Sequence, residues 1–154
     1  MSITELAPAK LNLTLDVGAR RPDGYHEITS VMQSAALYDV VTLETVETDD
    51  IVVECPGTDL PTGPDNLAWK AADVFFQETN ILHTGIFIRL EKKIPSQAGL
   101  GGGSSDAASV LRGMRRLFST NVSDEALEAM AARVGSDVPY CVRGGTALAR
   151  GRRE

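Results

Sequence analysis

The sequence lacks a long apolar run, an excess of basic residues and a cluster of cysteines, and each absence excludes a class of protein. No apolar run approaches the roughly 20 residues of a membrane-spanning helix, and the N-terminal segment MSITELAPAK has no hydrophobic signal region. The 15 Lys and Arg residues are outnumbered by 21 Asp and Glu residues, for a formal net charge of −6. Such a chain has no basic surface for nucleic acid or an anionic membrane. We therefore expect a cytoplasmic protein with neither of these partners.

The two cysteines, Cys55 and Cys141, lie far apart in the sequence and have no neighbours at metal-ligand spacing. This arrangement favours neither a zinc site nor a redox pair, and we expect two reduced, structural thiols. The chain has 154 residues, of which 43% are hydrophobic. It is therefore long enough for one domain with a sizeable core.

The first clear element is a strand, because the segment LNLTLDV alternates apolar and polar residues from Leu11 to Val17. Lys10 has the parity of Asn12, so both side chains are predicted to project from the polar face of this strand. The next segment, RRPDGYHE, is rich in turn residues and predicts a loop.

Further along the chain, strand and helix patterns follow one another several times. Two β-branched segments within DVVTLETVETDDIVVEC predict strands that pair antiparallel across a polar turn. Three segments have helical spacing: one after Asp65 or Asn66, one that includes residues 107–118, and one from near Ser123 to Gly135. GIFIRLEKKI and GGTALAR indicate further strands. This order predicts one α+β domain with a mixed or antiparallel sheet covered by helices.

A glycine-rich segment, PSQAGLGGGSSDAA at residues 95–108, joins a predicted strand to a predicted helix. Glycines leave backbone N–H groups uncovered, and the start of a helix favours negative charge, so the segment predicts a phosphate-binding loop. Ser104 and Ser105 could cap the helix or donate hydroxyl groups to a phosphate or its metal ion. The alternative is that the glycines only let the helix pack close to a strand.

Two common phosphate-binding patterns do not fit this segment. A Walker loop requires Lys and then Ser or Thr after its last glycine, but Gly103 is followed by Ser104. The Rossmann pattern, counted from Gly99 and Gly101, would place its third glycine at position 104.

The glycine-rich segment resembles the second signature of the GHMP kinases, the family of galactokinase, homoserine kinase and mevalonate kinase. PAKLNLTLDVGARRPDGYHE and VGSDVPYCVRGGTALARGRR resemble two more motifs of one group in this family, in the same order. The resemblance implies the family's N-terminal domain, an α+β domain with a ribosomal-protein-like βαβ fold, over residues 1–154. It also implies a kinase of isoprenoid precursor synthesis, which uses ATP and Mg²⁺ to phosphorylate a small molecule bearing a cytidine diphosphate group.

The resemblance also implies residue roles. Asp137 would accept the proton of the substrate hydroxyl, while Lys10 orients that hydroxyl and offsets charge. Substrate binding, including that of the cytosine, is implied for Asn12, Tyr25 and His26. ATP binding is implied for Pro95, Gly99, Leu100, Gly101, Gly102, Gly103, Ser104, Ser105 and Asn66. No residue is predicted to bind a metal.

Each of these roles has a simpler alternative. Asp137 precedes a Val-Pro pair and suits the N-cap of a helix equally well. Lys10 could be a solvated lysine on an exposed strand face, and Asn66 could cap the first helix. Tyr25 and His26 offer flat rings and hydrogen-bonding groups for a nucleobase, but they suit an ordinary loop as well.

The chains of the family are longer than this one and carry a C-terminal domain, which the resemblance predicts to be absent here. We expect sites shared between the two domains to be half open, and the face left exposed to favour self-association. Two other functions stay open. One is a kinase of the same family for another small alcohol, and the other is a non-catalytic nucleotide-binding module.

Overall fold

The computed structural model describes the backbone of residues 1–20, 26–95, 101–143 and 146–153, and the side chains of residues 1–10, 37–95 and 101–143. This part of the chain forms five strands and four helices. The strands are β1 (Ser2–Arg20), β2 (His26–Val46), β3 (Ile51–Glu54), β4 (Gly85–Glu91) and β5 (Thr146–Arg153). The helices are α1 (Leu67–Thr79), α2 (Gly102–Leu117), α3 (Asp124–Val134) and α4 (Val138–Arg143).

The strands form one mixed sheet in the order β1-β2-β4-β3, and β5 also pairs with β2. β1 runs antiparallel to β2, while β4 and β5 pair antiparallel with residues 40–46 and 26–33 of β2. β3 pairs parallel with β4, and α1 forms the crossover between them. The predicted α+β domain with a mixed sheet is therefore confirmed.

The predicted antiparallel pair of β2 and β3 is wrong, because β4 lies between these two strands. β4 has buried residues at four of its seven positions, and it takes the interior place in the sheet. β3 has only four residues and buries one of them, which suits an edge strand. The apolar pattern of β4 thus outweighs the short distance in sequence between β2 and β3.

Two helices begin where their capping residues predict. Asn66 Oδ1 accepts the N–H of Ala68 at 2.8 Å before α1, and Ser123 Oγ accepts the N–H of Ala126 at 3.0 Å before α3. Each such cap is worth about 1 kcal/mol, since it satisfies an amide that the helix itself leaves free. Gly135 follows the last residue of α3, as predicted.

The core lies between the sheet and the helices. Its large, fully buried side chains include Val41, Leu43, Ile86, Ile88, Leu111 and Met114. The removal of each such side chain from water contributes about 1.5–3 kcal/mol. A Cβ on Gly113 of α2 would lie 2.3 Å from Leu43 Cδ1, so this helix can approach the sheet only without a side chain there.

Both cysteines are buried and free, as the sequence predicts. Burial raises the pKa of the Cys55 thiol, and it raises the pKa of Cys141 to about 11. Thiols in this state are poor nucleophiles, which fits a structural role. Within the described residues, no helix has the length and apolar character needed to cross a membrane.

Candidate functional site

Lys10 and Asp137 form an ion pair, although they come from opposite ends of the chain. The distance from Lys10 Nζ to Asp137 Oδ2 is 3.1 Å. Lys10 lies in β1, and Asp137 directly precedes α4. The Lys10 side chain is 4% exposed and that of Asp137 is 34% exposed. The pair therefore joins a buried ammonium to a carboxylate that stays open to solvent.

The burial of Lys10 contradicts its interpretation as a solvated lysine, while its predicted place on the same strand face as Asn12 stays a prediction. An irregularity in the pairing of β1 with β2 begins here, since Pro8 pairs with Tyr38 but Lys10 pairs with Ser34. Ala9 and Lys10 are consecutive and both are buried. A regular strand would turn these two side chains to opposite faces, and the burial of both coincides with the irregularity.

Gly101 brings the end of the glycine-rich segment against Lys10. Its φ is +68°, a left-handed conformation that favours glycine. A Cβ at this position would lie 2.6 Å from Lys10 Cε and 2.7 Å from Lys10 Cγ. The glycine is therefore required twice, by its backbone conformation and by the lysine packed against it.

The start of α2 presents uncapped backbone amides. Gly101 is the N-cap residue and has no side chain that could accept a hydrogen bond. The first helical hydrogen bond runs from the Ser105 N–H to the Gly101 carbonyl at 2.9 Å. The amides of residues 102–104 precede it, and such amides together with the helix dipole favour an anion. The buried Ser105 hydroxyl also finds no hydrogen-bond partner among the described residues.

Asn66 lies beside this helix start. A Cβ on Gly103 would lie 3.6 Å from Leu67 Cδ1, so the first turns of α1 and α2 are neighbours. The Asn66 side chain caps α1 and also donates from Nδ2 to the Pro61 carbonyl at 2.9 Å. Its capping interpretation is therefore confirmed, while its role near ATP stays a prediction.

The remaining predicted site residues differ in how far the structure describes them. Pro95 is exposed and follows Ile94 after the end of β4. Tyr25, Gly99 and Leu100 lie outside the described residues. Asn12 and His26 belong to β1 and β2, but their side chains lie outside the described part of the chain. The predicted roles of all these residues stay predictions.

Sequence reasoning missed a buried ionic cluster behind the helix start, formed by Asp39, Lys92 and Asp106 and called the buried cluster below. Lys92 Nζ lies 2.6 Å from Oδ2 of both carboxyl groups. Asp39 Oδ1 accepts the backbone N–H groups of Lys93 at 2.6 Å and Ile94 at 2.8 Å. One sequence signal was present: Asp106 lies one helical turn before Val110, on the stripe that packs into the core.

Burial and mutual hydrogen bonding set the protonation of the buried cluster. Burial, and then the hydrogen bond with Asp39, raises the pKa of Asp106 to about 8. Burial alone would raise the pKa of Asp39, but hydrogen bonds from Asp106, the Ile94 amide and Lys92 hold it below its ordinary value. Burial opposes the charge of Lys92, yet the neighbouring Asp106 and Asp39 raise its pKa. At neutral pH the cluster thus holds one ammonium, one carboxylate and one carboxylic acid.

Among the described residues, no group of three or more His, Cys, Asp or Glu side chains could hold a metal ion. The site in this part of the chain therefore consists of glycine amides, two serine hydroxyl groups and the Lys10–Asp137 pair.

Comparison with known proteins identifies relatives over this whole region. The model of the family described as GHMP kinases N terminal domain matches residues 66–145. The 4-diphosphocytidyl-2-C-methyl-D-erythritol kinase of Clostridium beijerinckii is 47% identical over 145 residues, which are 94% of this chain and 51% of the relative. The kinase of the same name from Bacillus subtilis is 47% identical over 154 residues, covering all of this chain and 53% of the relative.

Solved structures also match this chain over nearly its whole length. A crystal structure of 4-(cytidine 5'-diphospho)-2C-methyl-D-erythritol kinase superposes with a TM-score of 0.83 at 41% identity, covering 97% of this chain and 52% of that one. Homoserine kinase from Cytophaga hutchinsonii, at 21% identity, shares the fold with a TM-score of 0.74, over 96% of this chain and 48% of that one. The chain spans about half the length of the curated relatives it matches.

Proposed function

The chain belongs to the GHMP kinase family, and we propose that it supplies the ATP-binding half of a 4-diphosphocytidyl-2-C-methyl-D-erythritol kinase. This activity is the ATP-dependent phosphorylation of the 2-hydroxyl of 4-diphosphocytidyl-2-C-methyl-D-erythritol, a step of the non-mevalonate isoprenoid route. The substrate assignment follows the names of the relatives that are 47% identical over nearly the whole chain.

One observation carries the proposal: three motifs far apart in sequence meet at the start of α2. Gly101 lies against the Lys10 side chain, and Lys10 forms its ion pair with Asp137. A phosphate held by the amides of residues 102–104 would therefore lie next to a buried ammonium and an open carboxylate. Phosphoryl transfer depends mainly on such positioning and charge stabilisation, because its transition state is largely dissociative.

The two charged residues divide the work at the acceptor. Asp137 accepts the proton of the substrate hydroxyl, and Lys10 orients that hydroxyl and offsets the negative charge of the phosphoryl group. An ionised carboxylate is a weak base for an alcohol, but a loose transition state needs little early deprotonation. The open side of Asp137 leaves room for the acceptor, whereas Lys10 reaches the site from the core.

ATP contacts the remaining site residues. The segment from Pro95 through Gly99, Leu100 and Gly101 to Ser105 surrounds the phosphates, and Asn66 lies near the adenine. Mg²⁺, when bound with ATP, would neutralise part of the phosphate charge. The cytidine diphosphate group of the acceptor is held by Asn12, Tyr25 and His26.

The first test is calorimetric titration of the chain with Mg²⁺ and ATP, in the parent and in Gly103→Val. Gly103 is exposed and has an ordinary φ, so a valine there is compatible with the fold but covers the free amides. The matched control is Gly63→Val, at a position with an ordinary φ and open space around it. We expect Gly103→Val to abolish binding and Gly63→Val to retain it.

The second test is a phosphotransfer assay with three acceptors: the cytidine diphosphate substrate, homoserine and mevalonate. Turnover of the first acceptor alone supports the proposal. Turnover of another alcohol would assign a different kinase of the family. ATP binding without turnover of any acceptor is expected both of the ATP-binding half of a longer kinase and of a nucleotide-binding module, so it would support ATP binding alone. No binding of ATP by the folded parent would overturn the proposal.

A further inference from the structure

The buried cluster holds the chain on the entry side of the glycine-rich segment. Asp39 is fully buried in β2, and one of its oxygens accepts the amides of Lys93 and Ile94, the last two residues before Pro95. An ionised acceptor makes these hydrogen bonds stronger than neutral ones. The path of the chain out of β4 is thereby fixed to the neighbouring strand β2.

The buried cluster also holds the exit side of the glycine-rich segment, in α2. Lys92 bridges the other oxygen of Asp39 to Asp106, which lies in the second turn of α2 and is 2% exposed. Lys92 Nζ also lies 3.3 Å from the position of a Cβ on Gly102, the first residue of α2. One lysine therefore contacts the start of the helix and connects it to the strand that precedes the segment.

Such a cluster contributes little net stability, but it restricts its members to a narrow range of positions. Three ionisable groups taken out of water cost free energy that their mutual contacts must offset, and an apolar replacement is often as stable. Three short hydrogen bonds to one carboxyl group, however, permit only a narrow range of positions. The amides of residues 102–104 need such fixed positions, because they can bind a phosphate only when they point to a common centre.

We propose that Asp39, Lys92 and Asp106 are positioning residues that hold the start of α2 at a fixed place relative to the end of β4, and so prearrange its free amides for phosphate. The inference rests on the proposed function in one respect: it takes the anion at these amides to be a phosphate of ATP. None of the three side chains has to touch the nucleotide through its charged group.

The test compares Asp106→Ala with Asp106→Asn. Alanine removes the link between Lys92 and α2, whereas asparagine keeps its shape and an acceptor for Lys92. Because the pKa of Asp106 is raised to about 8, its side chain is neutral at pH 7, and the amide is a close substitute. Asp39→Asn is the second variant: it keeps an acceptor for the two amides but turns a donor toward Lys92, and it replaces Asp106→Ala if that variant does not fold.

The matched control is Glu5→Gln, which weakens the ion pairs of Glu5 with Arg112 and Arg116 in the second half of α2. It disturbs the attachment of the same helix without touching the buried cluster. A loss that came from general loosening of α2 would therefore occur in Glu5→Gln as well.

Two measurements are made on each variant. Amide hydrogen exchange over residues 92–106, without nucleotide, reports the fixing of the helix start, and calorimetry reports the Kd of ATP with Mg²⁺. We expect Asp106→Ala to accelerate exchange and to weaken ATP binding by about tenfold or more, the usual effect of losing a charge-assisted hydrogen bond. Asp106→Asn and Glu5→Gln should stay close to the parent in both measurements.

Unchanged exchange and Kd in Asp106→Ala would overturn the inference, and so would an equal loss in Glu5→Gln. Accelerated exchange with the predicted rescue by asparagine, in a parent that binds no ATP, would support the positioning of α2 and overturn the proposed function instead.

Discussion

Two lysines flank consecutive glycines at the start of α2, and they differ in what surrounds them. Lys10 packs against Gly101 and pairs with one carboxylate, which is 34% exposed. Lys92 lies beside Gly102 and contacts two carboxyl groups, which are at most 3% exposed. The Lys10–Asp137 pair is therefore open to solvent, whereas the ion pairs of Lys92 are buried.

The difference separates a site that can take part in a reaction from one that can only hold parts of the fold in position. The buried cluster is closed to a ligand because its two carboxyl groups are at most 3% exposed, although Asp106 Oδ1 has no hydrogen-bond partner among the described residues. The Asp137 carboxylate, in contrast, keeps an accessible side for an acceptor hydroxyl. Helix α2 therefore begins between the Lys10–Asp137 pair, which is suited to chemistry, and the buried cluster, which is suited to positioning.

The comparison is most strongly tested by removal of one carboxylate from each site. Asp39→Ala leaves Lys92 with Asp106 as its remaining carboxyl partner and leaves the amides of Lys93 and Ile94 without an acceptor, so we expect a loss of about 3–5 kcal/mol in the free energy of unfolding. Asp137→Ala should cost less, because Asp137 is 34% exposed and its removal opens Lys10 Nζ to water, which screens the remaining charge. Urea denaturation measures both, and similar losses would contradict the distinction.

The second prediction concerns turnover. Asp137→Asn keeps the size of the side chain but removes the base and the charge next to Lys10, so we expect the rate of phosphoryl transfer to fall by about a hundredfold or more. The Kd of ATP and the urea midpoint should change little, since the site is open and the loop is intact. Single-turnover assays separate the two effects, and a large change in the Kd of ATP with normal turnover would assign Asp137 to nucleotide binding.

The third prediction concerns the effect of pH on the free energy of unfolding, through Asp106 of the buried cluster. The folded chain keeps a proton on Asp106 up to about pH 8, while the unfolded chain releases it near the ordinary value of 3.8. Stability from this group is therefore complete below about pH 4 and is lost as the pH rises toward 8, by at most about 1.4 kcal/mol per pH unit. Asp39 and Lys92 do not titrate in this window, because the pKa of Asp39 is lowered and that of Lys92 is raised.

The control for this prediction is Asp106→Asn, which has no proton to lose. Urea midpoints measured between pH 5 and pH 8 should fall more steeply in the parent than in the variant. Parallel slopes would mean that Asp106 is ionised throughout, and the assigned protonation of the closed cluster would then be wrong.

Much of this molecule follows from local sequence patterns. Asn66 and Ser123 mark helix starts because a short polar side chain satisfies a free amide, and that rule needs no knowledge of the tertiary fold. The glycine-rich segment marks the start of α2 for a similar local reason. The family motifs also identified Lys10 and Asp137, and the structure brings these two residues together.

The features that sequence missed depend on contacts between distant segments. No local pattern reveals that β4 inserts between β2 and β3, because strand order depends on how strands distant in sequence pack together. The burial of Lys10 depends on an irregularity in strand pairing, and the buried cluster joins residues from β2, the end of β4 and α2. Asp39 and Lys92, taken alone, resemble ordinary surface residues, and only the helical spacing of Asp106 indicated burial.

The place of β4 in the sheet also has a consequence for the order of folding. β4 follows both of its neighbours in sequence, so during synthesis β2 and β3 emerge with their facing edges unpaired. Asp39 gains the amides of Lys93 and Ile94 only after β4 has inserted beside β2. The proposed nucleotide site is therefore completed only with the sheet, and a nascent chain that stops before this step should have no affinity for ATP.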